Sequence, residues 1–302
     1  MAEGLRRAGP DGELRGIFPI VYTPFDAQGR IDEEDERRVI DYLIASGAHG
    51  LAGCGGASET RAMSVQERMW LAEVTIDQAR GRVPVIIGTS APTTELTIEL
   101  SRHAERIGAK AVFCTPPTEA EHTPDAIRAH FRALSEAITI PIFIQHAGIP
   151  LSPQLLAQIT AECSNVCYIK EESARSGHMI TQTLALTGPR VRIFSGGSYL
   201  LDDLARGAVG AIPSSICVAD LARAFELYMA GDYTGARRAF NHALPLLYWR
   251  RQNPLIAAKE VLRRLGVIKA AYLREKPPGW EPLDEYDHRE LTAIMETMGP
   301  PY

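Results

Sequence analysis

The sequence predicts an α/β fold, a (β/α)8 barrel with a C-terminal helical appendage. Three observations predict it. Eight short apolar runs rich in β-branched residues recur along the 302 residues, a longer segment of helical period follows each, and the runs lack apolar/polar alternation. Parallel strands buried on both faces read as continuous apolar runs, and eight strand-plus-helix units point to a closed barrel rather than an open sheet. With 45% hydrophobic and 23% charged residues, the chain can bury a sizeable core without staples.

The elements follow in order. Run 17–22 leads to a helix that Asp32 can cap, with Val39, Ile40, Leu43 and Ile44 on one side and Gly47 as its stop. Run 50–54 leads to a helix opened by a capping box, Ser64 with Glu67, and ending at Gly81. After run 83–88 the helix stops at Gly108; after run 111–115, Thr123-Pro124 places proline at the first helical position. Runs 140–145, 167–170, 191–195 and 210–212 complete the set, with Gly188 and Gly207 as further stops. A helix over 218–230 follows the last strand, and helical sequence then continues through 233–248, 255–265 and 287–298. The predicted division is a barrel over 14–230 and a helical region over 231–302 packed on it.

Charge narrows the function. The net charge is −5, the pI is near 5.9, and basic residues cluster only in pairs such as Arg237-Arg238 and Arg250-Arg251, which argues against nucleic acid or an anionic membrane as partner. Five cysteines (Cys54, Cys114, Cys163, Cys167 and Cys217) are scattered through apolar segments without zinc-site spacing, so they are expected to be reduced and buried. Gly and Pro, rather than an apolar stretch, follow Arg6-Arg7, and no run of eighteen apolar residues exists; a cytoplasmic protein is expected. No motif calls for a nucleotide, a metal or another cofactor.

Active sites of such barrels lie at the C-terminal ends of the strands, where three segments carry chemistry. Lys170, in Tyr168-Ile169-Lys170-Glu171-Glu172, closes the sixth strand. An amine enclosed there loses hydration, which favours the neutral form that adds to a ketone; a lysine followed by two glutamates also fits a solvated ion pair, and the barrel position favours the chemistry. The second segment, 53–59, holds three glycines that let the backbone turn sharply and offer N–H groups to a carboxylate. In the third, Gln145-His146-Ala147-Gly148, His146 can exchange protons near neutral pH while Gln145 can only donate and accept hydrogen bonds.

With these residues in order, the chain resembles the dihydrodipicolinate synthase and N-acetylneuraminate lyase family of class I aldolases. The likeness runs from Pro24-Phe25 and Ile31-Asp32 through Gly55 to Glu59, Pro84 to Thr89, Thr115-Pro116 and Pro141-Ile142 to Ile169-Lys170-Glu171. It continues through Ser195-Gly196, Gly210 to Ser214, Gly231-Asp232 and Lys259 to Gly266. The resemblance implies that Lys170 forms an iminium with a small 2-oxo acid, that the Gly56, Ala57 and Ser58 turn binds the substrate carboxylate, and that Gly196, Ile212 and Ser214 line the pocket. It also implies a homo-oligomer, a dimer or tetramer.

The departures shape the expected reaction. The family's Gly-Thr-Thr-Gly-Glu reads Gly55-Gly56-Ala57-Ser58-Glu59 here, Gln145 stands in place of a tyrosine, and Pro117-Thr118 stands in place of a tyrosine pair, so the tyrosine proton relay is absent. The loop after Gln145 lacks the arginine a dicarboxylic substrate would use, and Gly197 replaces an acidic residue. These features look more like the subgroup that dehydrates 2-keto-3-deoxy sugar acids. Dehydration is therefore the leading expectation, with His146 as the first titratable candidate for the base and Glu59, Ser214, an ordered water or the substrate's own carboxylate behind it. Retro-aldol cleavage to pyruvate and an aldehyde, and a non-catalytic 2-oxo-acid binder or structural protein, stand as alternatives.

Overall fold

The computed structural model describes residues 13–301 apart from 253, 275 and 277; Arg6-Arg7 lies outside the described residues. The first half of the repeat is β1 (Gly16–Ile17), α1 (Glu33–Ala45), β2 (Leu51–Gly53), α2 (Val65–Ala79), β3 (Val85–Gly88), α3 (Thr94–Arg106), β4 (Ala111–Cys114) and α4 (Pro124–Ala137). The second is β5 (Ile142–His146), α5 (Pro153–Glu162), β6 (Val166–Glu171), α6 (Ser176–Thr187), β7 (Arg192–Ser195), α7 (Leu200–Ala205), β8 (Gly210–Ala211) and α8 (Val218–Met229). The strands pair in parallel in the order β1-β8-β7-β6-β5-β4-β3-β2, and a parallel bridge from Ile20 to Ala52 closes the sheet on itself. β1 is shorter than its apolar run because Pro19 has no N–H to give; the ladder resumes at Ile20, whose N–H donates to Pro213 O at 2.8 Å.

Capping follows the sequence. Asp32 accepts from Asp35 N at 3.1 Å, Ser64 and Glu67 exchange bonds of 3.1 and 2.9 Å, and Thr123 accepts from Ala126 N at 3.2 Å with Pro124 opening α4. One stop shifts. Arg80, at φ +49, makes the first left-handed turn after α2, and Gly81 follows at φ +68.

Alternate strand residues face opposite ways, which gives two apolar layers. Phe18, Ile86, Phe113, Phe143, Tyr168, Phe194 and Ile212 fill the barrel interior; Leu43, Leu71, Phe131, Leu156 and Ile193 belong to the larger layer between sheet and helices. Inside, Phe143 stacks on Tyr168 at 4.4 Å, Phe18 meets Phe194 edge-on at 5.4 Å, and the Tyr168 hydroxyl accepts from Leu14 N at 3.0 Å. Gly88 makes room for this packing: a Cβ there would stand 2.4 Å from Cys54 O and 2.8 Å from Phe113 Cζ. All five cysteines are free, but Cys167 and Cys217 are only half-buried, which corrects the expectation of full burial. Burial pushes the Cys54 and Cys114 thiols up to about 12.

Beyond the barrel lie α9 (Tyr233–Trp249), α10 (Pro254–Arg264) and α11 (Glu285–Met298). α9 packs along α8 through buried Ala236, Ala239 and Ala243, whose small side chains allow a close approach, and Pro245 inside it forgoes the bond to the Asn241 carbonyl. The following segment reaches back to the barrel. Lys259, fully buried, donates to Glu59 and to Tyr272 O at 2.8 Å, while Arg274 N donates to the other Glu59 oxygen at 2.7 Å. Both cations lie over the Phe25 ring, at 4.4 and 4.6 Å from its centroid. Among the described residues no helix is long and apolar enough to cross a membrane.

Candidate active site

Strand alternation puts Tyr168 and Lys170 of β6 inside the barrel and Ile169 and Glu171 outside it. Lys170 therefore stands one layer above the aromatic interior, at the C-terminal mouth, with 3% of its surface exposed. Its Nζ lies 2.9 Å from Glu172 Oε2, and the same oxygen accepts from Gln145 Nε2 at 2.8 Å. Register explains the trio: Gln145 of β5 pairs with Lys170, and Glu172 follows two residues later on the same side. The flank of β7 must be bare here, since a Cβ on Gly196 would stand 3.0 Å from Glu172 Cγ. From sequence, Glu172 reads only as part of a solvated ion pair. Its two-residue spacing from Lys170 is the signal that could have found it.

The glycine segment folds as a single 3-10 turn over Gly56–Ser58, with Glu59 left-handed at φ +60. As the first residues of the turn, Gly56 and Ala57 have N–H groups with no intrahelical acceptor. Ser58 differs. Its amide donates to Gly55 O at 3.0 Å, and its fully buried hydroxyl donates to Val21 O at 2.6 Å and accepts from Gly55 N at 3.1 Å. The three-residue expectation is thus corrected: Ser58 braces the turn, and Gly56 and Ala57 present the amides. Phe113 joins this turn to the lysine, its Cζ 3.4 Å from where a Gly55 Cβ would stand and its ring centroid 6.0 Å from Lys170 Nζ.

His146 is corrected as well. It lies on the outer face of β5, buried, with Nδ1 2.7 Å from Glu171 Oε2 and Nε2 accepting from Leu151 N at 3.1 Å. The amide must donate to Nε2, so the proton sits on Nδ1 and goes to Glu171. Both nitrogens are engaged away from Lys170, which removes His146 as the base. Glu59, bound to Lys259 and Arg274 N, is removed with it. A second outer-face network, in which Asp203 accepts from Ser195 at 2.5 Å and from Ser176 at 3.1 Å, fixes β7 to α6 and α7; burial raises the Asp203 pKa against those bonds.

Of the remaining expected residues, Gly196 and Ser214 meet in a cavity of ≈ 600 Å³ at the mouth, bounded on the far side by Asn241, Tyr248, Arg250 and Arg251. Ser214 Oγ donates to Tyr22 Oη at 3.3 Å. Ile212 is buried in the interior layer below. Among the described residues no group of three or more His, Cys, Asp or Glu side chains could hold a metal ion.

An eight-stranded parallel barrel with an amine ending one strand, a carboxylate on it and a turn of available amides nearby belongs to the class of barrel lyases that work through a lysine Schiff base. The chain is a member of the Dihydrodipicolinate synthetase family, whose model matches residues 13–298. It is 32% identical to the 4-hydroxy-tetrahydrodipicolinate synthase of Pelobacter propionicus, over 95% of this chain and 99% of that one. It is also 32% identical to the L-2-keto-3-deoxyarabonate dehydratase of Azospirillum brasilense, over 95% of each chain. Among solved structures, a prophage protein of the dihydrodipicolinic acid synthase family from E. coli K12, in complex with pyruvate, superposes with a TM-score of 0.84 at 25% identity, covering 94% of this chain and 98% of that one. The chain is accordingly a lyase of the aldolase type, as the family's synthases and dehydratases are.

Proposed function

We propose that Lys170 is the Schiff-base residue, that Glu172 is its acid–base partner, and that the reaction is dehydration of a 2-keto-3-deoxy sugar acid in the cytoplasm. The carrying observation is the Glu172 carboxylate 2.9 Å from the Lys170 amine, which supports its acting on protons next to an iminium formed there. The substrate carboxylate sits on the Gly56 and Ala57 amides, and Gln145 holds Glu172 in place. Fixing the reacting groups in this way is worth several kcal/mol of barrier.

The Lys170 amine adds to the C2 carbonyl and releases water, forming a C2 iminium. Glu172 takes a proton from C3, and the electron pair of that bond makes the C2–C3 enamine. The enamine expels the C4 hydroxyl, which leaves as water with the proton held by Glu172. A proton then moves from C5 to C3, which turns the C3=C4 iminium into a C4=C5 enol that ketonises to the C5 aldehyde; hydrolysis of the imine returns the water lost at its formation, so the net loss is one water and Glu172 ends as it began. The identity to a 2-keto-3-deoxyarabonate dehydratase favours this outcome. A second reading, carbon–carbon bond cleavage or formation through the same enamine, is favoured by the relatives named as synthases.

Borohydride trapping with pyruvate and with a 2-keto-3-deoxypentonate, followed by peptide mapping, tests the covalent step. The expected adduct maps to Lys170 and is lost in Lys170→Ala; an adduct on another lysine, or none, overturns the assignment. Glu172→Gln should still form the adduct but lose about 10²- to 10⁴-fold in kcat. Detection of 2-oxoglutarate semialdehyde supports dehydration, whereas pyruvate plus an aldehyde supports the second reading.

A further inference from the structure

The cavity beside the ends of β7 and β8 joins two chemically different walls. The barrel wall consists of Gly196, Gly197, Ser198, Pro213 and Ser214, from the ends of β7 and β8, and presents backbone and hydroxyls. The opposite wall comes from the second half of α9 and the turn after it, and brings Asn241, Arg250 and Arg251 beside the apolar Leu244, Pro245 and Leu247. Gly196 belongs to the barrel wall and also packs against Glu172, the partner of the Lys170 amine, so one residue separates the cavity from the Lys170–Glu172 pair, which does not itself line it.

Arg250 Nε is buried and has no hydrogen-bond partner among the described residues. None of the cavity's lining residues is acidic. Leaving a buried guanidinium N–H unpaired is costly, and the planar fork of donors on an arginine is suited to a carboxylate or phosphate. A cation pair unmatched by acidic lining fits a ligand that supplies the negative charge itself.

We propose that Arg250 is a specificity-determining residue that binds a second, terminal anionic group of the substrate. This rests on the proposal that Lys170 carries the 2-oxo end. The substrate class is then a 2-keto-3-deoxy acid whose chain ends in a carboxylate or a phosphate rather than in a neutral alcohol. Ser198 and Asn241 face the chain between the two ends and suit its hydroxyls. No bond is made or broken at Arg250; its role is recognition, and Arg251 adds charge at the outer rim.

The test compares three compounds on the full-length chain: a 2-keto-3-deoxypentonate, a 2-keto-3-deoxyhexarate and a 2-keto-3-deoxy-6-phosphohexonate. The ratio of kcat/KM between the charged-tail and neutral-tail compounds is taken within each variant, so that a general loss of folding cancels. The wild type should favour one of the charged tails by about ten- to a hundred-fold, as a hydrogen-bonded charge is worth. Arg250→Gln should abolish that ratio chiefly through KM, and Arg250→Lys should recover part of it. A carboxylate preference and a phosphate preference identify the two sources of the charge.

A neutral-tail preference in the wild type, or a ratio unchanged in Arg250→Gln, overturns the proposal. Calorimetry with adipate, which has two carboxylates and no ketone, separates the two claims. If no compound is trapped on Lys170 but adipate binds the wild type and not Arg250→Gln, the arginine subsite stands and the Schiff-base assignment falls. If trapping succeeds but adipate and the tail comparison ignore Arg250, the reverse holds.

Discussion

Glu36 carries its carboxyl where water cannot hydrate the anion. The residue is buried at 1% exposure, and desolvation pushes its pKa from the ordinary 4.5 up to about 8, with the Lys259 charge offsetting only part of the rise. Between those two values the folded chain keeps a proton that the unfolded chain has released, so stability falls as pH rises through the window and levels off above about 8. Glu36→Gln removes the titration while keeping the shape. Melting temperatures measured from pH 5 to 9 should converge for wild type and variant at the acid end and separate in favour of the variant at the alkaline end; parallel curves would refute the assignment. Residues of the site are legible to different degrees, because a sequence marks where a strand ends but not which way each side chain turns. Lys170 was found because it ends an apolar strand. His146 was chosen for its titratable ring, yet strand parity turns it outward to Glu171, while the same parity brings Glu172 back beside the amine.

Elements were more legible than residues, because burial on both faces and helix capping leave local marks. All eight strands and the caps at Asp32, Ser64 and Thr123 stand where their residue types place them. Strand lengths were less legible, since pairing depends on the neighbour's backbone. At the β1–β8 seam, a Cβ on Gly210 would lie 2.1 Å from Gly16 O and 2.6 Å from Gly16 N, atoms of a paired backbone that cannot move aside alone. Gly210→Ala should destabilise the fold by about 1–3 kcal/mol, in the range of overpacked cores. The urea midpoint reads this directly, and an unchanged midpoint would show that the seam can open without loss.

At the scale of the whole molecule, the appendage is tied to the substrate turn. Glu59, which ends that turn in a left-handed conformation, is held by Lys259 of α10 and by the backbone of Arg274. Burial pulls the Lys259 ammonium below the ordinary lysine range while the Glu59 carboxylate opposes the shift. Removing one partner of such a pair leaves the other charge buried, so Lys259→Met should cost about 3–5 kcal/mol. It should also raise KM for a 2-oxo acid, because the Gly56 and Ala57 amides lose their brace; a lower melting temperature with KM unaltered would uncouple the two. Nothing in the sequence of either segment announced this tie, which spans 200 residues of chain. The aromatic stack beneath Lys170 sets a traffic rule. With Phe18, Phe143, Tyr168 and Phe194 interlocked and Leu14 bonded across the base, the described residues of the barrel leave no passage at its floor. Substrate, water and product must all use one doorway, so a bound product bars the next substrate, and inhibition by product should be competitive.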